Sequence, residues 1–340
     1  MSNAQISFVP YLNRSYNAFY PKAEKSMKKD PIQFLKDTFF LKADDGLLLR
    51  CHRAVPPGWE AGGPVLLILT GRAECLDKYD RLTAMFQKKG VAVVRKDWRG
   101  QGGSGRMLKD GQKGHVTDFQ LYLQDLKIVL ASLVYPMKPG KLVLLGHSMG
   151  SHLILRHLLE QPDGIHAAIL ESPMFSISTF PLPYAAARYI FRLAGQRSLA
   201  EAYIPGGGPF RPSAPFAGNR LTGDSEHFFR FQDFLRQHRQ MQMGAPTLGW
   251  MDAADSSMER MWKDLESADL QTPLLILSGL EDRVVHPHDH EKATSYLPYA
   301  QLASFKGARH ELYMERQEIR IKVWKRIENF LNKTNFFTAF

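Results

Sequence analysis

The sequence has no apolar run long enough to span a membrane. Its most apolar stretches, residues 65–69 and 142–145, have the length of strands and fall far short of the ~20 residues that a membrane helix needs. The N-terminus also lacks the basic start and the apolar stretch of a secretory signal. We therefore expect a cytoplasmic protein without membrane-spanning helices.

Cysteine is scarce as well, since the 340 residues contain two, Cys51 and Cys75. Two thiols cannot form a disulfide framework, and we expect both to be free or buried rather than redox-active. In other respects the composition is ordinary: 44% of the residues are hydrophobic and 23% are charged, which excludes collagen-like, coiled-coil and wholly disordered chains. The sequence predicts a folded globular protein.

Negative charge is under-represented, because Lys and Arg total 44 whereas Asp and Glu total 34. The net charge of +10 favours contact with anionic surfaces. The basic residues are scattered and match no zinc-finger or RNA-binding signature, so we expect no nucleic-acid partner. We expect instead peripheral contact with an anionic membrane, through the lysines of the first 38 residues and through Phe336, Phe337 and Phe340.

The apolar pattern divides the chain into an irregular N-terminal arm (1–38), a core in two parts (39–172 and 269–340) and an inserted cap (173–268). In the core, Asp45-Gly46 predicts a hairpin turn, and strand-length apolar runs then alternate with helical spacing. This alternation predicts an α/β fold, with a mostly parallel sheet and helices on both faces. The predicted strands cover 65–69, 91–96, 141–145, 167–170, 273–277 and 301–305, and the predicted helices cover 79–89, 119–133, 149–159, 289–296 and 311–332.

Residues 173–268 interrupt this alternation. The segment is rich in Pro, Gly, Phe and Arg and has helical spacing at 185–193 and 226–238, but it has no strand pattern. Its aromatic side chains either pack the cap or line an apolar substrate tunnel, and packing is the favoured interpretation for any single residue. The candidates for substrate contacts are Phe175, Phe180 and Trp250.

The strongest local signal is Gly146-His147-Ser148-Met149-Gly150, a G-x-S-x-G motif between a predicted strand and a predicted helix. A serine at such a sharp turn adopts strained backbone angles, and the glycines let the strand and the helix approach closely. The motif lacks the lysine of a phosphate-binding loop. We predict that Ser148 is a nucleophile, the alternative being a glycine-rich turn with an idle serine. His147 and His152 are too close to Ser148 in sequence to act as its base, and we expect structural roles for them.

A serine nucleophile needs an imidazole base, and the base needs a carboxylate that orients it. In a fold with this nucleophile turn, the acid and then the histidine follow the serine along the chain. The loop after the strand predicted at 273–277 contains Asp282, the preferred acid, and Glu281, the reserve. The loop after the strand predicted at 301–305 contains one histidine, His310, which is the predicted base.

A metal site is the competing interpretation of the histidines that follow the predicted acid. His286, His288 and His290 match no zinc-binding spacing, and a solvated helix start explains them better. The glycine-rich segment 97–105 lacks the G-x-G-x-x-G order before a helix, which indicates a structural loop near the site rather than a dinucleotide site. We expect no metal and no cofactor.

Acyl transfer also needs two hydrogen-bond donors for the developing oxyanion. The residue after the nucleophile, Met149, supplies one backbone N–H in this fold. We expect the second from the loop after the strand predicted at 65–69, where Gly71 permits a sharp turn and Arg72 offers its N–H. The alternative is a plain turn.

Four segments together resemble the α/β-hydrolase superfamily. They are Asp97-Trp98-Arg99-Gly100-Gln101-Gly102, Gly146-His147-Ser148-Met149-Gly150, Leu280-Glu281-Asp282-Arg283-Val284-Val285 and Gly307-Ala308-Arg309-His310-Glu311. Within that superfamily, the chain from about residue 39 to 332 resembles the bacterial lysophospholipases and the related monoacylglycerol lipases, often grouped with serine aminopeptidases. The resemblance implies a catalytic triad formed by Ser148, Asp282 and His310. It also implies an oxyanion hole formed by the backbone groups of Arg72 and Met149.

One position departs from part of this group. Monoacylglycerol lipases usually carry His-Gly where this chain has Thr70-Gly71, whereas Gly71-Arg72-Ala73-Glu74 is similar to the bacterial lysophospholipase form. We expect a serine hydrolase that cleaves a carboxylic ester through an acyl-enzyme, with a lysophospholipid or a monoacylglycerol as its substrate. The alternatives are an aminopeptidase on the same scaffold, which would need acidic cap residues for a free amine, and a non-catalytic interaction protein on a hydrolase fold.

Overall fold

A computed structural model describes residues 35, 38–179, 181–195 and 199–337 of the chain. Its strands are β1 (Phe39–Lys42), β2 (Leu48–Ala54), β3 (Pro64–Leu69), β4 (Ala92–Lys96), β5 (Lys141–His147), β6 (Ala167–Glu171), β7 (Leu274–Gly279) and β8 (Ala300–Phe305). Its helices are α1 (Asp80–Gln87), α2 (Gln120–Val129), α3 (Met149–Glu160), α4 (Tyr184–Gly195), α5 (Ser225–Gln237), α6 (Leu248–Leu265), α7 (Pro287–Ser295) and α8 (Gln317–Lys333). Phe180, Phe340 and all of the predicted arm except residues 35 and 38 lie outside the described residues.

The described strands form one sheet in the order β1-β2-β4-β3-β5-β6-β7-β8. Strands β1 and β2 form the predicted hairpin and β2 pairs antiparallel with β4, whereas all the other neighbours are parallel. Strands β3 to β7 are buried along nearly their whole length, as expected for parallel strands that are covered on both faces. The predicted α/β fold with a mostly parallel sheet is confirmed.

Alternate side chains of the central strands face two separate apolar layers. On β3, Leu67 and Leu69 belong to the layer that contains α2, α3 and α6. Leu66 and Ile68 belong to the opposite layer, which contains α1 and α8. Because β3 to β8 run parallel, their carboxyl ends lie at one edge of the sheet, and the loops after β3, β5, β7 and β8 meet there.

Two helices differ from the sequence prediction. Helix α6 lies in the interval between β6 and β7 and is absent from the prediction, although Thr247 caps its first turn by accepting the Trp250 N–H at 3.1 Å. Met258 and Met261 of α6 pack into the core beside α3, so the predicted cap shares the apolar core of the sheet. Helix α8 begins at Gln317 and not near residue 311, because a single 3₁₀ turn precedes it.

The structure also shows where the two cysteines and the C-terminal residues Phe336 and Phe337 lie. Cys51 and Cys75 are free and buried, as predicted. Phe336 is fully buried in the layer of α1 and α8, and Phe337 packs against that layer, so Phe336 does not offer the membrane contact expected of it. Across the part of the chain that the structure describes, no helix has the length and apolar character to cross a bilayer.

Candidate active site

Ser148 lies at the sharp turn where β5 ends and α3 begins. Its backbone has φ 51° and ψ −111°, a combination that residues with a side chain rarely adopt. The Ser148 N–H donates to the Glu171 carbonyl at 2.9 Å. The Ser148 carbonyl accepts from the N–H groups of His152 and Met174 at 3.0 and 3.1 Å. Strand β6 and the segment after it therefore hold the strained turn in place.

The glycines of the motif are required by close packing. A Cβ atom at Gly146 would lie 2.6 Å from the Ser151 nitrogen. A Cβ atom at Gly150 would lie 2.3 Å from the Leu69 carbonyl oxygen and 2.7 Å from that of Thr70. These neighbours are backbone atoms, which cannot move aside as a flexible side chain can. Glycine at position 150 therefore lets the first turn of α3 pack directly against the end of β3, which leads into the predicted oxyanion loop.

Asp282 and His310 are hydrogen-bonded across two loops at the carboxyl edge of the sheet. His310 Nδ1 and Asp282 Oδ2 are 2.6 Å apart, and both residues are buried. The other oxygen of Asp282 accepts the N–H groups of Val284 and Val285 at 2.8 and 3.1 Å. Burial opposes the ionisation of Asp282, but the His310 imidazole and these N–H donors lower its pKa. The carboxylate is therefore charged and is oriented toward the ring.

Backbone contacts join the loops that carry these two residues. The Glu281 N–H donates to the Ala308 carbonyl at 2.9 Å, and a Cβ atom at Gly279 would lie 2.2 Å from the Arg309 carbonyl oxygen. The loops after β7 and β8 are thus in direct contact. The reserve acid Glu281 is exposed, and the structure brings Asp282, the preferred acid, to the histidine.

His310 lies beside the nucleophile turn. Its ring centroid is 4.8 Å from that of His147, the residue before Ser148. Ser148 and His310 are 7% and 3% exposed, so both lie in a region from which water is largely excluded. The structure brings the predicted nucleophile, acid and base into one region, although they come from three distant loops.

The predicted oxyanion donors lie on facing segments. Met149 is the first residue of α3, where backbone N–H groups have no partner within the helix. Arg72 lies in the loop after β3. Gln101 joins the two segments, because its Oε1 accepts the Ala73 N–H at 2.8 Å and its Nε2 lies 3.7 Å from the Met149 Sδ. The glycine-rich loop that contains Gln101 lies beside the site, as expected for a structural loop.

Sequence patterns do not reveal Glu74, whose buried carboxylate contacts four donors. Its Oε2 accepts the Gly71 N–H and the Tyr79 hydroxyl, each at 2.6 Å. The same oxygen lies 3.1 Å from Nδ1 of His147, and Oε1 lies 2.5 Å from the Lys78 ammonium. Glu74 therefore connects the predicted oxyanion loop, the start of α1 and the nucleophile turn. No spacing could indicate the contact with His147, because 73 positions separate the two residues.

Comparison with known proteins shows the family of this chain. Residues 63–317 match the family model described as Serine aminopeptidase, S33. The chain belongs to this family. The chain is 31% identical to lysophospholipase L2 of Escherichia coli strain K12 over 279 residues, which cover 80% of this chain and 81% of the relative. It is 28% identical to the probable lysophospholipase L2 of Haemophilus influenzae over 269 residues, which cover 79% of this chain and 83% of the relative.

Solved structures support the fold of this S33-family protein. A soluble variant of monoglyceride lipase from Saccharomyces cerevisiae, in complex with a substrate analogue, matches it with a TM-score of 0.67 and 18% identity. The match covers 92% of this chain and 100% of the other. Such a likeness supports the fold alone, and with the strand order it identifies an α/β-hydrolase fold.

A buried ion pair of the S33-family protein extends from Glu74 to the loop of the predicted base. The Lys78 ammonium contacts Glu74 and also lies 2.8 Å from Oε1 of Glu311, the residue after His310. Burial opposes the charge of Lys78, but Glu311 and Glu74 raise its pKa. Burial also opposes the ionisation of Glu74, but Lys78 and His147 hold its pKa well below the ordinary value. Buried charges therefore position the predicted oxyanion loop, the nucleophile turn and the loop of His310 relative to one another.

Two further buried groups, Glu171 and His147, have raised pKa values. Burial raises the pKa of Glu171 to about 8. Burial by itself would lower the pKa of His147, but the charges of Glu74 and Glu171 raise it to about 9. Both shifts favour the protonated forms, the His147 cation and the neutral Glu171 carboxyl.

The cap candidates for substrate contacts are mostly packed. Phe175 and Trp250 are 1% and 3% exposed and belong to the core, and Phe180 lies outside the described residues. Phe175 packs edge-on against two neighbouring rings, as the packing interpretation expects. The Trp250 ring packs against Phe119 with centroids 5.5 Å apart, and the Arg72 guanidinium lies 5.4 Å from its centroid. Trp250 therefore joins the cap to the predicted oxyanion loop.

The expectation of a solvated histidine cluster is wrong for His290. This side chain is fully buried, with Nδ1 2.7 Å from the Ser278 hydroxyl and Nε2 2.9 Å from the Pro173 carbonyl oxygen. His286 and His288 are exposed, as expected. Among the described residues, no group of three or more His, Cys, Asp or Glu side chains is arranged to hold a metal ion.

Proposed function

We propose that this protein is a serine hydrolase that cleaves the carboxylic ester of a single-chain lipid through an acyl-enzyme. The observation that carries the proposal is the buried 2.6 Å hydrogen bond between His310 and Asp282, beside the strained turn at Ser148. Acyl transfer requires a nucleophile, a base and an orienting acid in this relationship. Membership of the S33 family and relatives named lysophospholipase L2 support a lysophospholipase- or monoacylglycerol-lipase-like ester hydrolase.

In the proposed mechanism, Nε2 of His310 removes the proton from the Ser148 hydroxyl, and Asp282 accepts the Nδ1–H that fixes the tautomer. The serine oxygen then bonds to the ester carbonyl carbon, and the carbonyl oxygen becomes an oxyanion. The backbone N–H groups of Met149 and Arg72 donate to this oxygen. His310 gives its proton to the leaving glycerol oxygen as the ester bond breaks, which leaves an acyl-enzyme and an alcohol.

Water completes the proposed cycle. His310 takes a proton from a water molecule, the water oxygen bonds to the acyl carbon, and the proton passes to the departing oxygen of Ser148. The products are a fatty acid and the free enzyme. The low exposure of both side chains strengthens the interactions with the oxyanion, because little solvent screens them. These steps require no metal and no cofactor.

A lysophospholipid or a monoacylglycerol is the proposed substrate, and we propose that residues 173–268 act as a cap that covers its acyl chain. The aminopeptidase alternative requires an acidic group that binds a free amine. In the predicted oxyanion loop, the acid Glu74 is buried and already contacts Lys78 and His147, whereas Arg72 is a cation that repels an ammonium group. A non-catalytic role would give no reason for the strained backbone of Ser148 or for the buried pair of Asp282 and His310.

Replacement of Ser148 by Ala tests the proposal. The variant is expected to lose labelling by a fluorophosphonate and roughly 10³-fold or more of kcat toward 1-oleoylglycerol and 1-oleoyl-lysophosphatidylglycerol. Ser151→Ala is the matched control, because it removes a buried hydroxyl one turn further along α3 and should retain both properties. Full activity of Ser148→Ala would refute the proposal. Hydrolysis of aminoacyl arylamides without hydrolysis of esters would establish the aminopeptidase alternative.

We also propose a cytoplasmic protein that contacts the inner face of an anionic membrane peripherally. The net charge of +10 supports this proposal, as does α4, on which Tyr189, Ile190 and Leu193 are 66%, 38% and 42% exposed. Cosedimentation with phosphatidylglycerol vesicles should decrease as salt rises, and Tyr189→Ser should weaken it at every salt concentration. Equal recovery in the soluble fraction at low and high salt would contradict the proposal.

A further inference from the structure

A cation without a carboxylate partner lies beside the predicted oxyanion loop. The side chain of Arg72 is half-buried, and its Nη2 donates to the Gly244 carbonyl at 2.6 Å. Its Nε is buried and has no hydrogen-bond partner among the described residues. Burial lowers the pKa of Arg72 to about 10, and the ionisable groups that act on it are the phenols of Tyr122 and Tyr203. The guanidinium is therefore charged at neutral pH, and no described carboxylate neutralises it.

Other buried guanidinium groups of this fold are paired with acids. Arg50 lies 2.7 Å from Asp77, and Arg99 lies 2.6 Å from Asp125. Pairing of this kind offsets the cost of removing a charge from water. The half-buried Arg72 and Arg106 both bind backbone carbonyl groups and form no ion pair among the described residues, but only Arg72 of these two lies in the predicted oxyanion loop, where a bound molecule can supply negative charge.

Arg72 is close to the predicted reacting centre. Its backbone N–H is the predicted second oxyanion donor, and a Cβ atom at the preceding Gly71 would lie 2.6 Å from Nδ1 of His147, the residue before Ser148. Its guanidinium reaches the cap, 5.4 Å from the ring centroid of Trp250. The backbone of Arg72 therefore lies in the predicted oxyanion loop, and its guanidinium lies between that loop and the cap.

We propose that the Arg72 guanidinium binds the phosphate of a lysophospholipid and so raises activity toward lysophospholipids relative to monoacylglycerols. This inference rests on the proposed function and deepens it. In a lysophospholipid, a glycerol unit separates the ester from the phosphate; in Arg72, an aliphatic stem separates the backbone N–H from the guanidinium. The Nε and the remaining N–H groups are donors in the planar arrangement that suits phosphate oxygens. A monoacylglycerol has no negative charge at this position.

The alternative is that Arg72 does no more than tether the cap through Gly244. Arg106 offers a matched comparison, because its half-buried guanidinium donates to the Gly100 carbonyl at 2.8 Å and also to the Gln240 carbonyl of the cap. Arg106 lies outside the predicted oxyanion loop. Loss of a structural tether should affect all substrates alike, whereas loss of a phosphate contact should affect phosphate-containing substrates more strongly than others.

The test measures kcat/KM for 1-oleoyl-lysophosphatidylglycerol and for 1-oleoylglycerol, both as monomers in solution. Arg72→Met should lower the ratio of the first value to the second by about tenfold to hundredfold, the range for a charged hydrogen bond, whatever its effect on the two values together. Arg72→Lys retains the charge and should give an intermediate ratio of the two values. Arg106→Met should leave the ratio unchanged. Glycerol 3-phosphate should inhibit 1-oleoylglycerol hydrolysis by the wild type more strongly than hydrolysis by Arg72→Met.

A wild-type ratio in Arg72→Met, whether or not both values decrease, would overturn the inference. If Arg72→Met does not fold, Arg72→Lys decides: a ratio below the wild-type value supports the phosphate contact, and a wild-type ratio contradicts it. A wild-type protein that hydrolyses neither substrate would instead refute the proposed function. The two failures are therefore distinguishable.

Discussion

The carboxylate of Glu74 accepts a hydrogen bond from the backbone N–H of Gly71 at 2.6 Å. The same carboxylate contacts Lys78 and His147, so one buried side chain fixes the predicted oxyanion loop against the nucleophile turn. An oxyanion donor must lie at a set position before the reaction begins. Glu74 is therefore a positioning residue in the proposed mechanism, and it acts through the loop rather than on the substrate.

Glu74→Gln should lower kcat by roughly tenfold or more with little change in KM, because a neutral amide leaves Lys78 and His147 incompletely compensated and weakens the bond to Gly71. The free energy of unfolding should fall by about 3 kcal/mol. Steady-state kinetics and urea unfolding measure the two effects. Glu160→Gln removes a partly exposed ion pair with Arg156 and should change neither by much. A folded Glu74→Gln protein with wild-type kcat would contradict the positioning role.

Asp282→Asn should lower kcat by roughly 10³- to 10⁴-fold, because an amide no longer favours the Nδ1–H tautomer of His310. The neighbouring Glu281→Gln, which alters an exposed carboxylate, should retain the wild-type value. Hydrolysis of 1-oleoylglycerol by the two purified variants measures the contrast. A large decrease in kcat in Glu281→Gln, with activity retained in Asp282→Asn, would identify Glu281 as the acid.

Gly150→Ala should abolish most activity, because the added Cβ would lie 2.3 Å from the Leu69 carbonyl oxygen and would force α3 away from the end of β3. Separation of these elements moves the Met149 N–H away from the predicted oxyanion loop, and loss of one oxyanion donor typically costs about 10²- to 10³-fold. Gly208→Ala is the control, since its Cβ would have nothing within 4 Å. Ester hydrolysis and thermal unfolding of both variants are the measurements. Wild-type rates in Gly150→Ala would show that the close approach is dispensable.

The stabilisation that His147 and Glu171 contribute should fall as pH rises from 6.5 to 9. The pKa of His147 rises from 6.5 to about 9 in the folded protein, and that of Glu171 rises from 4.5 to about 8. The native state therefore binds protons that the unfolded state has released. The stabilisation from His147 is complete below pH 6.5 and is lost as pH rises through about 9, and that from Glu171 is lost between about 4.5 and 8.

Glu171→Gln should remove about 2 kcal/mol of this pH-dependent loss between pH 6.5 and 9, because the amide does not titrate. It should also lessen the His147 contribution, since Glu171 helps to raise that pKa. Urea unfolding at pH 6.5, 7.5 and 9 measures the difference between the two proteins. The exposed Glu201→Gln should follow the wild type at every pH. If the free energy of unfolding changes with pH equally in the wild type and in Glu171→Gln, the raised pKa of Glu171 is refuted.

Much of the fold follows from local patterns. The apolar run at 65–69 and the glycines around Ser148 predict a strand and a sharp turn because their signals lie within a few consecutive residues. Helix α6 escapes prediction, although its cap at Thr247 is a local signal, because it lies in a Pro- and Gly-rich segment. The burial of His290 escapes for another reason, since its partners Ser278 and Pro173 belong to other segments.

The sequence by itself determined the types of reactive group, their order along the chain and the turns that carry them, because backbone preference and apolar periodicity act over short distances. Only the tertiary structure decided that Asp282 rather than Glu281 meets the histidine and that Glu74 reaches His147. The tertiary structure also decided that no described carboxylate neutralises the Arg72 guanidinium. Such contacts join residues far apart in sequence, and their geometry depends on the order and register of the sheet.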